Sequence, residues 1–288
     1  LAQMQGSIAE VATHQGLALS LTAQGPELMD ILRLAGLAYH GLPQQLGPFR
    51  LQGQLKDAGS KLHLDDIVLK AGSAQLMEVT GKGSINDLTG LVAIDLNTGI
   101  SSEHPASLAQ LAGLSYSGKG PVRLTGHLQG SGTHWKMSRM ESAIGDNHLA
   151  GDIAVQLGER TKVTGNLTST FLNPADFAGA QPSLTSPTDQ TSPSTTGQER
   201  TARKGDGRVF STEPLPFGLL RILDVDLKLH ADRVMFGNQQ IQHVVFTAAL
   251  QKGRLQLKPF QFGLAGGTID GDSTVDITGE TPRVSLRL

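Results

Sequence analysis

The 288 residues carry 24 Lys and Arg against 26 Asp and Glu, for a net charge of −2, with 17% charged and 4% aromatic residues. This balance leaves no basic footprint for nucleic acid, and the lack of any cysteine rules out disulfides, zinc–cysteine centres and thiol catalysis. With 35 glycines and so little charge, the composition fits many strands joined by tight turns.

The first element in chain order is a strand in which Leu17, Leu19 and Leu21 alternate with small or polar residues. A short helix is expected next. Pro26 opens it, Gly36 closes it, and Leu28, Ile31, Leu32 and Ala35 recur at i, i+3, i+4 and i+7. Phe49, Leu51 and Leu55 then resume a period of two. The helix pattern returns from Pro105 to Gly113 with Leu108, Leu111 and Ala112, and strands follow through Val122, Leu124, Leu128 and through Ile153, Val155, Leu157. Such alternation puts apolar side chains on one face of a sheet and polar ones on the other. Ala58-Gly59-Ser60, Asn86-Asp87, Gly130-Ser131-Gly132, Gly145-Asp146-Asn147, Gly158-Glu159 and Lys252-Gly253 are hairpin signals, so neighbouring strands are expected to run antiparallel. Gly53, Gly126, Gly151, Gly165 and Gly271 fall within strands, where they permit bends and bulges.

Parts of this pattern are written more than once. Leu34-Ala35-Gly36-Leu37-Ala38-Tyr39 returns as Leu111-Ala112-Gly113-Leu114-Ser115-Tyr116, and Gly47-Pro48-Phe49-Arg50-Leu51-Gln52-Gly53 returns as Gly120-Pro121-Val122-Arg123-Leu124-Thr125-Gly126. Val79-x-Gly81-x-x-x-Ile85 is echoed by Leu149-x-Gly151-x-x-x-Val155 and by Ile269-x-Gly271-x-x-x-Val275. Units of this kind cannot bury their apolar faces alone and stack into an extended body. Three parts are expected. Residues 1–177 hold helix-plus-strand repeats. Residues 178–209 are almost free of bulky apolar groups and are expected to form a disordered surface loop. Residues 210–288 restart with a weaker helix pattern at 214–223 and a strand with Val225, Leu227 and Leu229, continuing the same sheet. The chain starts at Leu1, ends inside the alternating run Val284 to Leu288 and holds no signal peptide or membrane-spanning run, so it reads as a piece of a longer protein.

The run Val209-Phe210-Ser211-Thr212-Glu213-Pro214-Leu215-Pro216-Phe217 leads into Leu220-Arg221-Ile222-Leu223-Asp224-Val225-Asp226-Leu227-Lys228-Leu229. Arg254-Leu255-Gln256-Leu257-Lys258-Pro259-Phe260 and Leu264-Ala265-Gly266-Gly267-Thr268-Ile269-Asp270-Gly271 follow. This order and spacing resembles the C-terminal region of AsmA-family proteins of Gram-negative bacteria, and the repeat style of residues 1–172 is similar to the middle of such proteins. The resemblance implies a mainly β fold, a repeating and strongly curved antiparallel β-groove with a few short helices. It also implies an inner-membrane anchor through an N-terminal helix that this sequence lacks, with the bulk of the chain in the periplasm. Relatives grouped with the family include TamB-like and bridge-like lipid carriers, so a role in lipid transport or outer-membrane biogenesis is implied. The family brings no catalytic motif, and no cofactor is expected.

The residues supply a physical argument of their own. A dozen one-sided strands offer a long apolar face, and three short helices cover only part of it. A second sheet, the sheet's own curvature or a bound apolar ligand must cover the rest. From the residues alone an open groove and a closed β-sandwich fit equally; the resemblance favours the groove. Its expected lining is Leu17, Leu19, Leu51, Leu55, Leu124, Leu128, Ile153, Val155, Val225, Leu227, Leu255 and Leu257, and its expected partner is a phospholipid or another acyl lipid. The alternative is a scaffold whose sheet edges dock envelope assembly proteins. Other constellations carry less. The nine histidines show no metal-ligand spacing, Asp65-Asp66 and Asp224-x-Asp226 read as solvated surface charge, and Trp135 reads as a packing residue or as the rim of a groove. Neither Gly118-Lys119-Gly120 nor Gly263 to Gly267 is followed by the Lys-Ser/Thr pair of a phosphate loop. Catalytic and metal residues are therefore expected to be none.

Overall fold

A computed structural model describes residues 2–10, 15–30, 46–58, 61–73, 76–88, 92–104, 120–177, 223–237, 239–264, 266–278 and 283–288. The alternating segments become fifteen strands: β1 (Ala2–Glu10), β2 (Gln15–Gly25), β3 (Phe49–Ala58), β4 (Lys61–Ser73), β5 (Met77–Asp87), β6 (Val92–Ser102), β7 (Val122–Ser131), β8 (His134–Ile144), β9 (Asn147–Gln156), β10 (Thr161–Phe171), β11 (Leu223–Phe236), β12 (Gln239–Gln251), β13 (Arg254–Leu264), β14 (Gly267–Asp276) and β15 (Arg283–Arg287). They form one sheet in strict sequence order. With neighbours about 4.8 Å apart, fifteen strands extend over roughly 67 Å.

The expected helices fall largely outside the described residues. Of 26–36, residues 28–30 are helical and 31–36 are not described; 105–113 and 214–222 are not described either, and Leu223 opens β11. The low-complexity stretch 178–209 also lies outside them. A 3-10 turn, Pro174–Phe177, follows β10.

Thirteen of the fourteen strand junctions are antiparallel, as the turn residues predict. The exception is β10–β11, which pair in parallel from Thr161 opposite Leu223 to Ser169 opposite Ala231. The cause is the long connection. β10 ends at Phe171 on one side of the sheet, and β11 begins at Leu223 on the other, so the chain must cross over before it pairs again. No hairpin signal spans 172–222, and the parallel register is absent from local turn chemistry. Beyond β10, Leu172 stays beside β11: its N–H donates to the Arg233 carbonyl at 3.0 Å and its carbonyl accepts from Met235 N–H at 2.8 Å.

The repeat is visible in the register. Gly72 N–H donates to the Pro48 carbonyl at 2.8 Å, and Gly145 N–H donates to the Pro121 carbonyl at 3.1 Å. Ala58 pairs Lys61 as Ser131 pairs His134. Strand β4 is bulged at Asp65-Asp66 and β8 at Ser138-Arg139, with Asp66 at φ 52° and Arg139 at φ 51°. Strand β13 bulges at the matching place, between Leu257 and Phe260. One sequence equivalence needs correction by two residues. Gly83, not Gly81, takes the place of Gly151 and Gly271, since Gly83 faces Ile67, Gly151 faces Met140 and Gly271 faces Phe260, each the first inward residue after a bulge. A period of two cannot distinguish registers two residues apart.

The parallel junction is stapled by charge. Arg160 Nη2 lies 2.8 Å and Nε 3.1 Å from Asp224 Oδ1, Arg160 Nη2 also donates to the Leu223 carbonyl at 3.0 Å, and Lys252 N–H donates to Asp224 Oδ1 at 3.0 Å. The hydrogen bond from Arg160, then that from the Lys252 backbone, holds the Asp224 carboxyl below the usual carboxylate range. A depressed folded value contributes stability above the unfolded carboxylate value, about 4, and loses it as pH falls through the folded value. The melting temperature of Asp224→Asn is therefore expected to lie below that of the native chain at pH 7, with the gap closing as the pH is taken below 4. A gap independent of pH would show that the carboxylate charge is not what ties β10 to β11.

Candidate functional site

Carried through the strand register, the inward residues line up in rows that run along the sheet. One row starts at Leu19 on β2 and passes Leu55, Leu64, Ile85 and Ile94. It continues through Gly130, Trp135, Val155 and Val163. Val225, Leu250, Leu255, Val275 and Val284 on β15 complete it. Glycine is the only interruption, and no polar side chain enters the row. A parallel row holds Leu96, Leu128, Met137, Ile153, Gly165, Leu227, Ala248 and Leu257.

All twelve lining candidates lie on this face. Leu17, Leu19, Leu51, Leu55, Leu124, Leu128, Ile153, Val155, Val225, Leu227, Leu255 and Leu257 are each half-buried. Residues of a dry sandwich core would be buried throughout; residues on a flat bare sheet would be exposed. Intermediate exposure over so many apolar residues fits a sheet curled toward its own apolar face.

Inward glycines let the sheet curl. Gly151 stands between Met140 and Leu167, Gly165 between Ile153 and Leu227, and Gly126 beside Met137 and Met140. A side chain missing from one strand lets those of its neighbours close over the gap. Met140, Leu167 and Leu229 thereby form a buried cluster, with Leu124, Met137, Leu149, Ile153, Leu172, Leu227 and Phe246 packed around it. The first and last strands do not pair with each other, so the sheet is not closed into a barrel.

The two lips differ. At the crossover lip, Leu28, Met29 and Leu46 fold over Phe49, Ala71 and Met77 and bury them. Glu27 fixes this cover by accepting from Met29 N–H at 3.1 Å, Leu46 N–H at 2.8 Å and Gly47 N–H at 3.0 Å. Farther along the same lip, Asn147 donates to Asp176 at 2.8 Å and to the Ile144 carbonyl at 3.1 Å, and its Oδ1 accepts from Asn173 N–H at 2.6 Å. This network seats the 3-10 turn on the strand ends. The opposite, hairpin lip holds the connections β1–β2, β3–β4, β5–β6, β7–β8, β9–β10, β12–β13 and β14–β15 and the start of β11. Trp135 stands there, its Nε1 donating to the Gly132 carbonyl at 3.0 Å and its ring over Gly130, a rim position.

Sequence reasoning missed Leu64, Ile67, Leu69, Met137, Met140, Phe260 and Phe262, which share the same face. Leu64, Ile67, Met137, Met140 and Phe260 flank bulges, where two consecutive outward residues break the period of two, and Leu69 and Phe262 continue the parity set beyond them. The double polar pair Asp65-Asp66 between Leu64 and Ile67 was the available signal. The polar face behaves as surface. Lys56–Asp65 at 3.2 Å, Lys70–Glu78 at 2.9 Å and Arg254–Asp276 at 3.4 Å are cross-strand pairs on it. Among the described residues no group of three or more His, Asp or Glu is placed to hold a metal, and no helix is long and apolar enough to cross a membrane.

An open, repeat-built antiparallel sheet with a continuous apolar trough defines a β-groove protein. The chain matches the AsmA family over residues 8–288 and belongs to it. No curated protein and no solved structure matches the chain.

Proposed function

We propose that this protein is a non-catalytic segment of the bacterial envelope, on the periplasmic side of the inner membrane, that binds and conducts acyl lipids along its trough in outer-membrane biogenesis. The observation that carries this reading is the row from β2 to β15 that no polar side chain enters. An acyl chain laid across the strands meets equivalent side chains at every rung. Each buried CH2 contributes about 0.8 kcal/mol, and the similarity of successive rungs allows the chain to slide without a large barrier. A monolayer's tails span about 15 Å, half of a ~30 Å hydrocarbon core, so a trough of roughly 67 Å has room for several tails in file. AsmA-family membership supports the envelope setting.

Native mass spectrometry of the purified chain is expected to show mass increments of phospholipid, more than one per chain at saturation. A lipid-free mass, with no uptake of fluorescent phospholipid from vesicles, would overturn the proposal and leave the edge-docking scaffold as the better account.

A further inference from the structure

A concavity of about 550 Å³ opens beside the hairpin lip, where the outward residues Asp95, Gln129, His134, Lys136, Gln156 and Lys162 line it together with Ile94, Gly130, Trp135 and Val155 of the apolar row. The register explains its shape. Lys136 pairs with Ala154, and Ala154 pairs with Thr164, so a small side chain on β9 leaves a depression between longer ones on β8 and β10. Neither Lys136 nor Lys162 is engaged in an ion pair among the described residues. The one carboxylate in the depression, Asp95, is occupied: it accepts from Gln129 Nε2 at 3.0 Å and faces His127 Nε2 at 3.3 Å. Lys136 and Lys162 thus stand without an ion-pair partner among the described residues, at the edge of a space whose one carboxylate, Asp95, is hydrogen-bonded to Gln129; Asp224, opposite Lys162 in the register, is held by Arg160.

This depression lies directly behind the rim. His134 and Lys136 point away from the trough, while Trp135 and Met137, between and beyond them, point into it. A lipid held by its tails must keep its headgroup hydrated, since burying an unpaired charged group is costly. Among the described residues the crossover lip is covered by Leu28, Met29 and Leu46 beside β3–β5 and carries the Asn147–Asn173–Asp176 network at the ends of β9 and β10. Among the described residues the hairpin lip carries only turns and the start of β11 at Leu223. We infer that phospholipids lie in the trough with their headgroups over the hairpin lip, and that the Lys136–Lys162 cradle receives the phosphate of an anionic headgroup. This inference rests on the lipid reading above and adds an orientation and a phosphate contact to it.

The absence of native cysteine makes the test direct. Single-cysteine variants Thr133→Cys, at the hairpin lip, and Asp146→Cys, at the crossover lip, carry a fluorophore, and the chain is loaded with phosphatidylethanolamine bearing a headgroup quencher. Quenching is expected to be several-fold stronger at position 133. Equal or reversed quenching, with lipid retained, overturns the orientation while leaving the trough intact; failure to load lipid at all sinks the trough reading instead. In a second arm, Lys136→Gln with Lys162→Gln is expected to weaken phosphatidylglycerol retention about tenfold, the scale of a lost charge-assisted contact, while diacylglycerol retention and Lys82→Gln stay at the native level. Equal loss of both lipids, or displacement of phosphatidylglycerol by millimolar inorganic phosphate, overturns the headgroup cradle, the latter in favour of a site for free anions.

Discussion

Leu128→Glu is expected to cut phospholipid retention about 100-fold while leaving the chain folded. Leu128 sits in the middle of the trough floor, opposite Leu96 and Met137, and is half-buried. In the empty trough a carboxylate there stays in water and costs the fold little. With an acyl chain against it, the same carboxylate loses its water and gains no partner, a penalty of several kcal/mol. About 3 kcal/mol corresponds to two decades in affinity. The matched change on the polar face, Gln52→Glu, is expected to have no effect on retention, because Gln52 is exposed between Thr22 and Val68. Retention is read by lipid extraction after vesicle incubation, and folding by circular dichroism. Native retention by Leu128→Glu would mean that lipid, if bound, does not touch the floor.

Gly151→Val is expected to have the largest effect on stability, about 3 kcal/mol or more. Gly151 has φ 138°, a region side chains rarely enter, and a Cβ there would fall on the Asn166 carbonyl oxygen of the neighbouring strand. That contact is backbone in a central strand, so relief requires parting β9 from β10. Gly83 meets the Asp95 carbonyl in the same way at φ 150°, and Gly83→Val is expected to behave alike if the two positions are repeat equivalents. Gly132 is the informative contrast. It has φ 55° in the β7–β8 turn, with no atom within 4 Å of an added Cβ, so Gly132→Ala is expected to cost only about 1 kcal/mol, the strain of the left-handed backbone. Urea unfolding would measure all three. Equal losses at positions 132 and 151 would mean that the close strand approach is not what makes Gly151 necessary.

The extent to which the sequence disclosed the trough follows from how each signal is encoded. Local alternation located the strands, and because side-chain parity is a local property, all twelve proposed lining residues share one face. Where a bulge interrupts alternation, parity changes within a single strand. Leu64 and Ile67 are three apart and both inward, so the lining of β4 and β8 and that of β13 beyond Leu257 escaped notice. The glycine motif aligned Gly81 with Gly151, where the register aligns Gly83, for the related reason that shifts of two preserve the pattern.

Composition, alternation and the doubled Gly-Pro segment were sufficient by themselves for a mainly β, repeat-built sheet with one apolar face, because these depend on residues close in the chain. Three features were decided only by the tertiary structure: the parallel junction of β10 with β11, the cover at one lip by Leu28, Met29 and Leu46, and the meeting of Lys136 and Lys162 at one concavity beside the other. Each joins residues from separate strands or across a long connection, and no local period records which distant segments will meet.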